Sequence, residues 1–175
     1  MIRPLPKMML SVAAVAVTAL ALPTAAGAAG GSAVPTASDY VKKAAIGDMF
    51  EIQSSQLALQ KSEDDDVRDF AQMMVDDHTK STAMIKQAVA ESGGDLSIPS
   101  SMDSKHESML TTLQQTSADG FDKAYLDMQA EAHQQALDLH RSYAEGGDQQ
   151  ALKDVAEDIV PVIEKHIDEL KELTD

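Results

Sequence analysis

The sequence predicts an all-α protein, an antiparallel four-helix bundle with a long crossover that contains a short extra helix. From Ser38 onward the chain is rich in Ala, Leu, Met, Gln, Glu and Lys, which favour helices, and no segment alternates like a β-strand. Four segments carry apolar residues at spacings of three and four, the pattern of one buried helix face. The links within two pairs of segments are short, whereas the passage through Pro99 is long, so it is predicted to cross the bundle.

The N-terminal segment, residues 1–28, has the features of a secretory signal peptide. Arg3 and Lys7 give it a basic start, an apolar run extends from Met8 to Leu22, and small residues end at Ala28. This order predicts export and cleavage after Ala28. The apolar run is shorter than the roughly 20 residues that a membrane-spanning helix needs.

The rest of the chain is predicted to form a flexible linker over residues 29–38 and one helical domain over residues 39–175. It contains no second apolar stretch long enough to cross a bilayer. Cysteine is absent, which excludes disulfides, thiolate ligands and an anchor on a lipid-modified cysteine. The predicted location is therefore the periplasm, with no transmembrane span in the mature chain.

The predicted mature chain is strongly acidic. Without Arg3 and Lys7, the 14 basic residues become 12 against 29 acidic ones, a formal charge of −17. Such a surface repels phosphate backbones, which argues against nucleic-acid binding. It suits solubility and cations instead.

Capping residues and glycines set the predicted ends of the first two helices. Ser38 is the predicted N-cap of the first helix, which covers residues 39–62. The acidic residues 63–66 open the second helix, because negative charge stabilises a helix N-terminus. This helix is predicted to end near Glu91, where a serine and two glycines, residues 92–94, stop it.

The same signals divide the second half of the chain. Residues 102–116 are predicted to form the short connecting helix. The third long helix has Asp119 as its predicted cap and ends at Gly146-Gly147, and Asp148 is the predicted cap of the fourth. Pro161 should remove a backbone hydrogen bond and bend the fourth helix.

The apolar faces predict which side chains point into the bundle. Two of the four faces include a histidine, and the third helix has two histidines beside its apolar face. In chain order the predicted faces are Val41, Ala45, Met49, Ile52 and Leu59; Val67, Ala71, Met74, His78, Ile85 and Val89; Phe121, Tyr125, Met128, Ala132 and Leu139; and Leu152, Ala156, Ile159, Ile163, His166, Leu170 and Leu173. Glu51 lies at the margin of the first face, and Leu126, His133, Leu137 and His140 lie along the edge of the third.

Several of these polar residues are predicted to lie at similar depths. At about 1.5 Å per residue, Glu51 and His78 lie roughly 19 Å and 21 Å from the first hairpin turn. His133 lies about 21 Å and His166 about 28 Å from the second turn by the same rise, a looser match. Gln129 is closer in level to His166.

Glu51, His78, His133 and His166 together have the ligand types of a metal site. Imidazole nitrogens with one carboxylate suit Zn or Cu and tolerate Fe or Mn. Asp76 and Asp77 could orient His78 by accepting a hydrogen bond from its ring. The competing interpretation is a buried polar network in which Glu51 accepts from imidazole N–H groups and no ion binds.

The remaining candidate residues indicate no enzyme. Ser54 and Ser55 lie within a turn of Glu51, but no tight glycine turn presents them as nucleophiles. No phosphate-binding loop and no dinucleotide fingerprint occurs. His140 is predicted nearer the bundle end, and His106 on the surface of the connecting helix.

An ordered set of residues also resembles a family of secreted bacterial proteins. The set is Phe70-Ala71, Met74, Asp77-His78, Phe121-Asp122, Tyr125, His133, Pro161, Ile163 and His166. The family is known as a domain of unknown function, number 4142, and its members are often labelled membrane or outer-membrane proteins. The resemblance implies a ferritin-like four-helix bundle and a signal peptide, and it implies no reaction.

The chain departs from di-iron ferritin-like enzymes at one point. Those enzymes place a glutamate three residues before each metal-binding histidine, whereas this chain has Val75 before His78 and Ile163 before His166. The sequence therefore favours a structural or partner-binding envelope protein of unestablished activity. The alternative is a metal-binding protein that uses the inward Glu/His cluster for a divalent ion.

Overall fold

The computed structural model describes residues 34–93 and 95–174, so the predicted signal peptide and the first part of the linker lie outside the described residues. Five helices occupy the described part: α1 (Ala37–Lys61), α2 (Asp65–Glu91), α3 (Ser104–Gln115), α4 (Ala118–Gly146) and α5 (Gln150–Thr174). These residues include no strand, and the predicted all-α class is confirmed. Across the same residues, no helix combines the length and the apolar character needed to cross a membrane.

The four long helices form a bundle in which each helix packs against two others. α1 packs mainly on α2 and α4 mainly on α5, while α1 also contacts α4 and α2 contacts α5. Tyr40 of α1 contacts His140 of α4, and Ser55 contacts Tyr125, so α1 and α4 are antiparallel. Because α1 and α2 form a tight hairpin, α2 and α4 point the same way.

Two parallel helices in succession require a connection that returns along the whole bundle. Residues 92–117 make this connection, and α3 lies within it against α1. Gly93 adopts a left-handed conformation, with a φ of 65°, where α2 ends. Leu113 of α3 is fully buried, and Leu96 and Ile98 pack on the apolar core. The predicted crossover with its short extra helix is thus present.

The helix starts differ from the predicted caps at three of the four long helices, α1, α4 and α5. Thr36, not Ser38, caps α1, because the Thr36 hydroxyl accepts the N–H of Asp39 at 3.2 Å and the helix begins at Ala37. Ser117 occupies the N-cap of α4, so Asp119 lies within the first turn. Prediction of a cap from sequence is uncertain by one or two residues when several oxygen-bearing side chains are adjacent.

The acidic run before α2 acts at the helix N-terminus, as predicted. The Asp64 carboxylate accepts the N–H groups of Asp66 and Val67 at 2.9 and 3.2 Å. At the other hairpin α5 begins at Gln150. The Asp148 carboxylate, predicted to cap that helix, accepts the Tyr143 hydroxyl instead.

The apolar core consists of two clusters, one towards each end of the bundle. The first cluster includes Tyr40, Val41, Ile85, Leu152, Ile159 and Ile163. The second includes Val67, Phe70, Met74, Leu113, Phe121, Tyr125 and Leu170. Between them lies a layer of buried polar side chains, namely Asp48, Glu51, Ser54, Ser55, His78, Ser81, Gln129, His133, His140 and His166. We call these ten residues the polar layer.

The polar layer explains where the predicted inward faces were wrong. In α2 and α5 the predicted residues are buried except for Val89 and Leu173, which are half-buried. In α1, however, Met49, Ile52 and Leu59 are only half-buried, because Asp48, Glu51 and their neighbours take the inward positions. Apolar periodicity cannot identify a face whose middle section is polar.

The same displacement occurs in α4. Met128, Ala132 and Leu139 were predicted to point inward and are half-buried. Phe121 and Tyr125 of the predicted face are buried, and beyond them the buried positions are taken by the residues along the predicted edge and by Gln129. α4 is therefore rotated so that His133 and His140 enter the core.

Candidate metal centre

Three of the predicted site residues meet in the middle of the bundle. His78 of α2, His133 of α4 and His166 of α5 are each buried and each offer one nitrogen, and these nitrogens lie within 4.8 Å of one another. His166 was predicted at a somewhat different depth from His133, but the structure brings the two rings together, with Nδ1 of His166 3.3 Å from Nε2 of His133. The two apolar clusters on either side shield the group from bulk water.

The hydrogen-bond partner of His133 determines which of its nitrogens carries the proton. Its Nδ1 lies 2.8 Å from the backbone carbonyl of Gln129, one turn earlier in α4. A carbonyl can only accept, so Nδ1 carries the hydrogen and donates. In the neutral ring Nε2 then keeps its lone pair, and this is the nitrogen that faces His166.

Carboxylates hold the other two rings in the same way. His166 Nε2 lies 3.2 Å from Asp77 Oδ2, and His78 Nδ1 lies 2.8 Å from Asp48 Oδ1. A carboxylate is an acceptor, so each of these nitrogens donates. The lone pairs of the neutral rings therefore reside on His166 Nδ1 and His78 Nε2. His78 Nε2 is buried and has no hydrogen-bond partner among the described residues.

The three imidazoles thus share one arrangement. Each donates its N–H to an acceptor outside the cluster and leaves the other nitrogen available within it. Histidines that bind metals have this arrangement, because the outer acceptor sets the tautomer and makes the inner nitrogen more basic. Without a cation, the lone pairs of His133 Nε2 and His166 Nδ1 face each other at 3.3 Å.

The spacing of the two closest nitrogens fits a tetrahedral ion. Two nitrogens that each bind Zn at about 2.05 Å, at the tetrahedral angle, are separated by about 3.3 Å. His133 Nε2 and His166 Nδ1 have this separation. The nitrogen of His78 lies within 4.8 Å of the others, so its ring would need to move by at most about 1.5 Å to complete the set.

Burial keeps two of the three rings neutral. It lowers the pKa of His133 to about 3 and that of His166 to about 4, helped in both cases by the nearby charge of His78. Both rings therefore have free lone pairs at neutral pH, which metal binding requires. Burial also opposes charge on His78, but the hydrogen bond to Asp48 and the charge of Glu51 outweigh it and raise the pKa of His78. A metal ion therefore competes with a proton for Nε2 of His78, and binding would release that proton.

Glu51 lies beside the three histidines and not among them. Its Oε1 is 3.7 Å from His133 Nδ1, the nitrogen that already donates to Gln129. Burial raises the pKa of Glu51 to about 7. Its Oε2 is buried without a partner among the described residues, as is Oε1 of Gln129. Glu51 is therefore available as a further acceptor or as a fourth ligand after a side-chain rotation.

Asp77 is present at the site, but the ring it holds differs from the predicted one. It was predicted to orient His78, and it accepts from His166 instead. Successive residues on a helix do not face each other, so Asp77 points towards α5 while His78 points towards α1. Burial opposes the charge of Asp77, but the hydrogen bonds from Lys80 and His166 outweigh it and lower the pKa of its carboxyl group.

Asp48 holds one of the three histidine rings and was not identified from the sequence. It lies in the middle of α1 and is 5% exposed, and its two oxygens accept from His78 and from Thr82. An isolated aspartate in an acidic chain resembles the many solvent-facing ones. Its position one helical turn before Glu51 is the one signal that could have identified it.

The two other histidines lie outside the cluster. His140, predicted nearer the bundle end, is buried, and its Nδ1 is hydrogen-bonded to the Tyr40 hydroxyl at 3.0 Å. His106, predicted on the surface, is half-buried, contacts the ring of Phe50 and bonds to Asp103. Ser54 and Ser55, the two serines near Glu51, are buried. The Ser54 hydroxyl donates to the backbone carbonyl of Glu51.

The pair formed by Tyr40 and His140 leads to a prediction about acid stability. Burial lowers the pKa of His140 from 6.5 to about 4. Between these pH values the unfolded chain binds a proton that the folded protein excludes, so acid favours unfolding. The original protein should therefore lose stability between pH 7 and pH 4.5. A double variant without both partners, Tyr40→Phe with His140→Leu, should lose about 2–3 kcal/mol less over the same pH range.

Urea unfolding of both proteins at the two pH values, with EDTA present, measures this difference. Each protein at pH 7 serves as its own reference, because His140 is neutral there in the folded state. An equal loss of stability in the double variant and the original protein would contradict the prediction.

Comparison with known proteins gives one match. A family model with the description "Domain of unknown function (DUF4142)" matches residues 21–173, which include all five helices up to the last turn of α5. No curated protein and no solved structure matches the chain.

Proposed function

The chain belongs to the DUF4142 family, a domain of unknown function, and from its core we propose that it binds a divalent transition-metal ion on His78, His133 and His166. One observation carries the proposal. All three rings donate one N–H to an acceptor outside the cluster, which leaves the second nitrogen of each for a metal, in the case of His78 after loss of a proton. A purely structural network would instead pair donors with acceptors inside the cluster.

The ligand atoms indicate the class of metal. Three imidazole nitrogens favour Zn or Cu(II) over Ca or Mg, which prefer oxygen ligands. The carboxylates of Asp48 and Asp77 hold two of the rings and carry a formal charge of −2, which offsets a dication in a buried site. Glu51 could supply the carboxylate that Fe and Mn sites more often contain, so these metals belong in the same test.

Elemental analysis of protein prepared without a histidine tag tests the proposal. We expect close to one equivalent of metal, removable with a chelator and restored by Zn or Cu. At a free-metal concentration of 100 Kd, restoration should raise the free energy of unfolding by about 2.7 kcal/mol. If no metal is present and none of Zn, Cu, Fe or Mn stabilises the protein, the polar layer is a structural network and the role is that of a partner-binding envelope protein.

We also propose that the protein works outside the cytoplasm, in the periplasm. The support is the basic start, the apolar run and the small residues that end at Ala28. We expect protein recovered from the periplasmic fraction to begin at Ala29 when its N-terminus is sequenced. Recovery of the chain with Met1 from the cytosolic fraction would contradict this location. Export would expose the histidines to the metal supply of the envelope.

A further inference from the structure

The acceptors that hold the three imidazoles differ in their access to solvent. The Asp48 side chain is 6% exposed, and Gln129, whose carbonyl holds His133, is 0% exposed. The Asp77 side chain is 22% exposed, while the His166 side chain that it holds is 2% exposed. Among these three acceptors, Asp77 is therefore the one that links the buried cluster to the surface.

Asp77 divides its two oxygens between the core and the surface. Oδ2 accepts from Nε2 of His166 at 3.2 Å, and Oδ1 pairs with Nζ of Lys80 at 2.8 Å. The Lys80 side chain is 71% exposed. A surface ion pair of this kind contributes at most about 1 kcal/mol, so an arriving cation can displace the ammonium group without a large penalty.

From this arrangement we propose that Asp77 is the access point of the metal site, where its carboxylate first binds the incoming cation on its way to the inner nitrogens of the cluster, and that Lys80 competes with the cation for this carboxylate. The inference rests on the proposed function, since it concerns how the same three histidines are loaded. The route follows the contact between α2 and α5, which meet at Asp77 and His166.

Other charged groups surround this point. Asp76 lies near Lys80 on α2, and Lys165 on α5 lies near His166 and pairs with Glu169. The two lysines reduce the attraction of the acidic surface for a cation at this position, so removal of one should increase the loading rate. The effect should weaken with added salt, because it depends on exposed charges.

Stopped-flow loading of metal-free protein with Zn²⁺ alone, at low ionic strength, tests the route. Lys80→Gln should load at least about threefold faster than the original protein, through the change in local charge. Lys123→Gln is the matched control, since Lys123 is also exposed and paired with a helical aspartate, Asp127, but lies 10 residues from His133 on α4. This control should load at the original rate.

Asp77→Asn provides the second arm, because asparagine can still accept from His166 but lacks the charge that attracts the cation. Its loading rate should fall at least about fivefold at low salt. Loading of Asp77→Asn at the original rate, or of Lys80→Gln at the rate of Lys123→Gln, overturns the proposed route. If the original protein binds no Zn²⁺ at equilibrium, the proposed function itself fails, and this result is distinct from an unchanged rate.

Discussion

Replacing His133 with alanine is expected to lower the affinity for Zn by at least about 100-fold. Loss of an outer hydrogen-bond partner alone costs 10- to 100-fold in metal affinity, and His133 supplies one of the three nitrogens directly. At a zinc concentration that is 100 Kd for the original protein, stabilisation should fall from about 2.7 to about 0.4 kcal/mol. Isothermal titration and thermal unfolding with and without Zn measure the two quantities.

His140→Ala is the matched control for this experiment. His140 lies on the same helix two turns from His133, is similarly buried at 4% exposure, and does not belong to the cluster. It should lose stability because the buried Tyr40 hydroxyl loses its hydrogen-bond partner. Its zinc-induced stabilisation should remain at the original value. Equal stabilisation by zinc in the His133→Ala and His140→Ala proteins would exclude His133 as a ligand.

Replacing Asp48 with alanine is expected to destabilise the metal-free protein by about 3 kcal/mol. The substitution leaves the N–H of His78 and the hydroxyl of Thr82 without their acceptor in the core, and a buried donor without a partner is costly. Asp48→Asn should cost less, by about 1–2 kcal/mol, because its amide oxygen can still accept from His78. Urea unfolding in EDTA measures both values.

Asp127→Ala controls for the loss of an aspartate as such. Asp127 is exposed and pairs with Lys123 on the surface of α4, so its removal should change stability by less than about 0.5 kcal/mol. A similar small change in Asp48→Ala would show that the polar layer is not held by Asp48. Asp48→Asn should also weaken Zn binding by about 10-fold or more, since the amide makes the ring of His78 less basic.

Much of the fold could be predicted because helix formation depends on local sequence. The four long helices, the short crossover helix and their order follow from spacing, caps and glycines. The inward positions of His78 and His166 also follow, because each continues an otherwise apolar face. The starts of α1, α4 and α5 were less predictable, because neighbouring side chains could serve as caps equally well.

The candidate site could be predicted only in part. Depth along the helices predicted similar levels for Glu51 and His78 and a looser match for His133 and His166, and the structure places the nitrogens of the three histidines together. Glu51 was predicted as a ligand, and its carboxylate lies 3.7 Å from the outer nitrogen of His133, not from the inner one. Asp48 was not identified, because the sequence does not distinguish a buried aspartate from the many exposed ones on the helix surfaces.

The sequence by itself determined the number and order of the helices and the types of ligand that the core can offer. Only the tertiary structure decided which faces of α1 and α4 point inward, and which acceptor holds each imidazole. The reason is physical: helical periodicity and capping depend on residues within a few turns, whereas a buried polar group is stabilised by a partner on another helix. Asp48 with His78, and Asp77 with His166, are pairs of this kind.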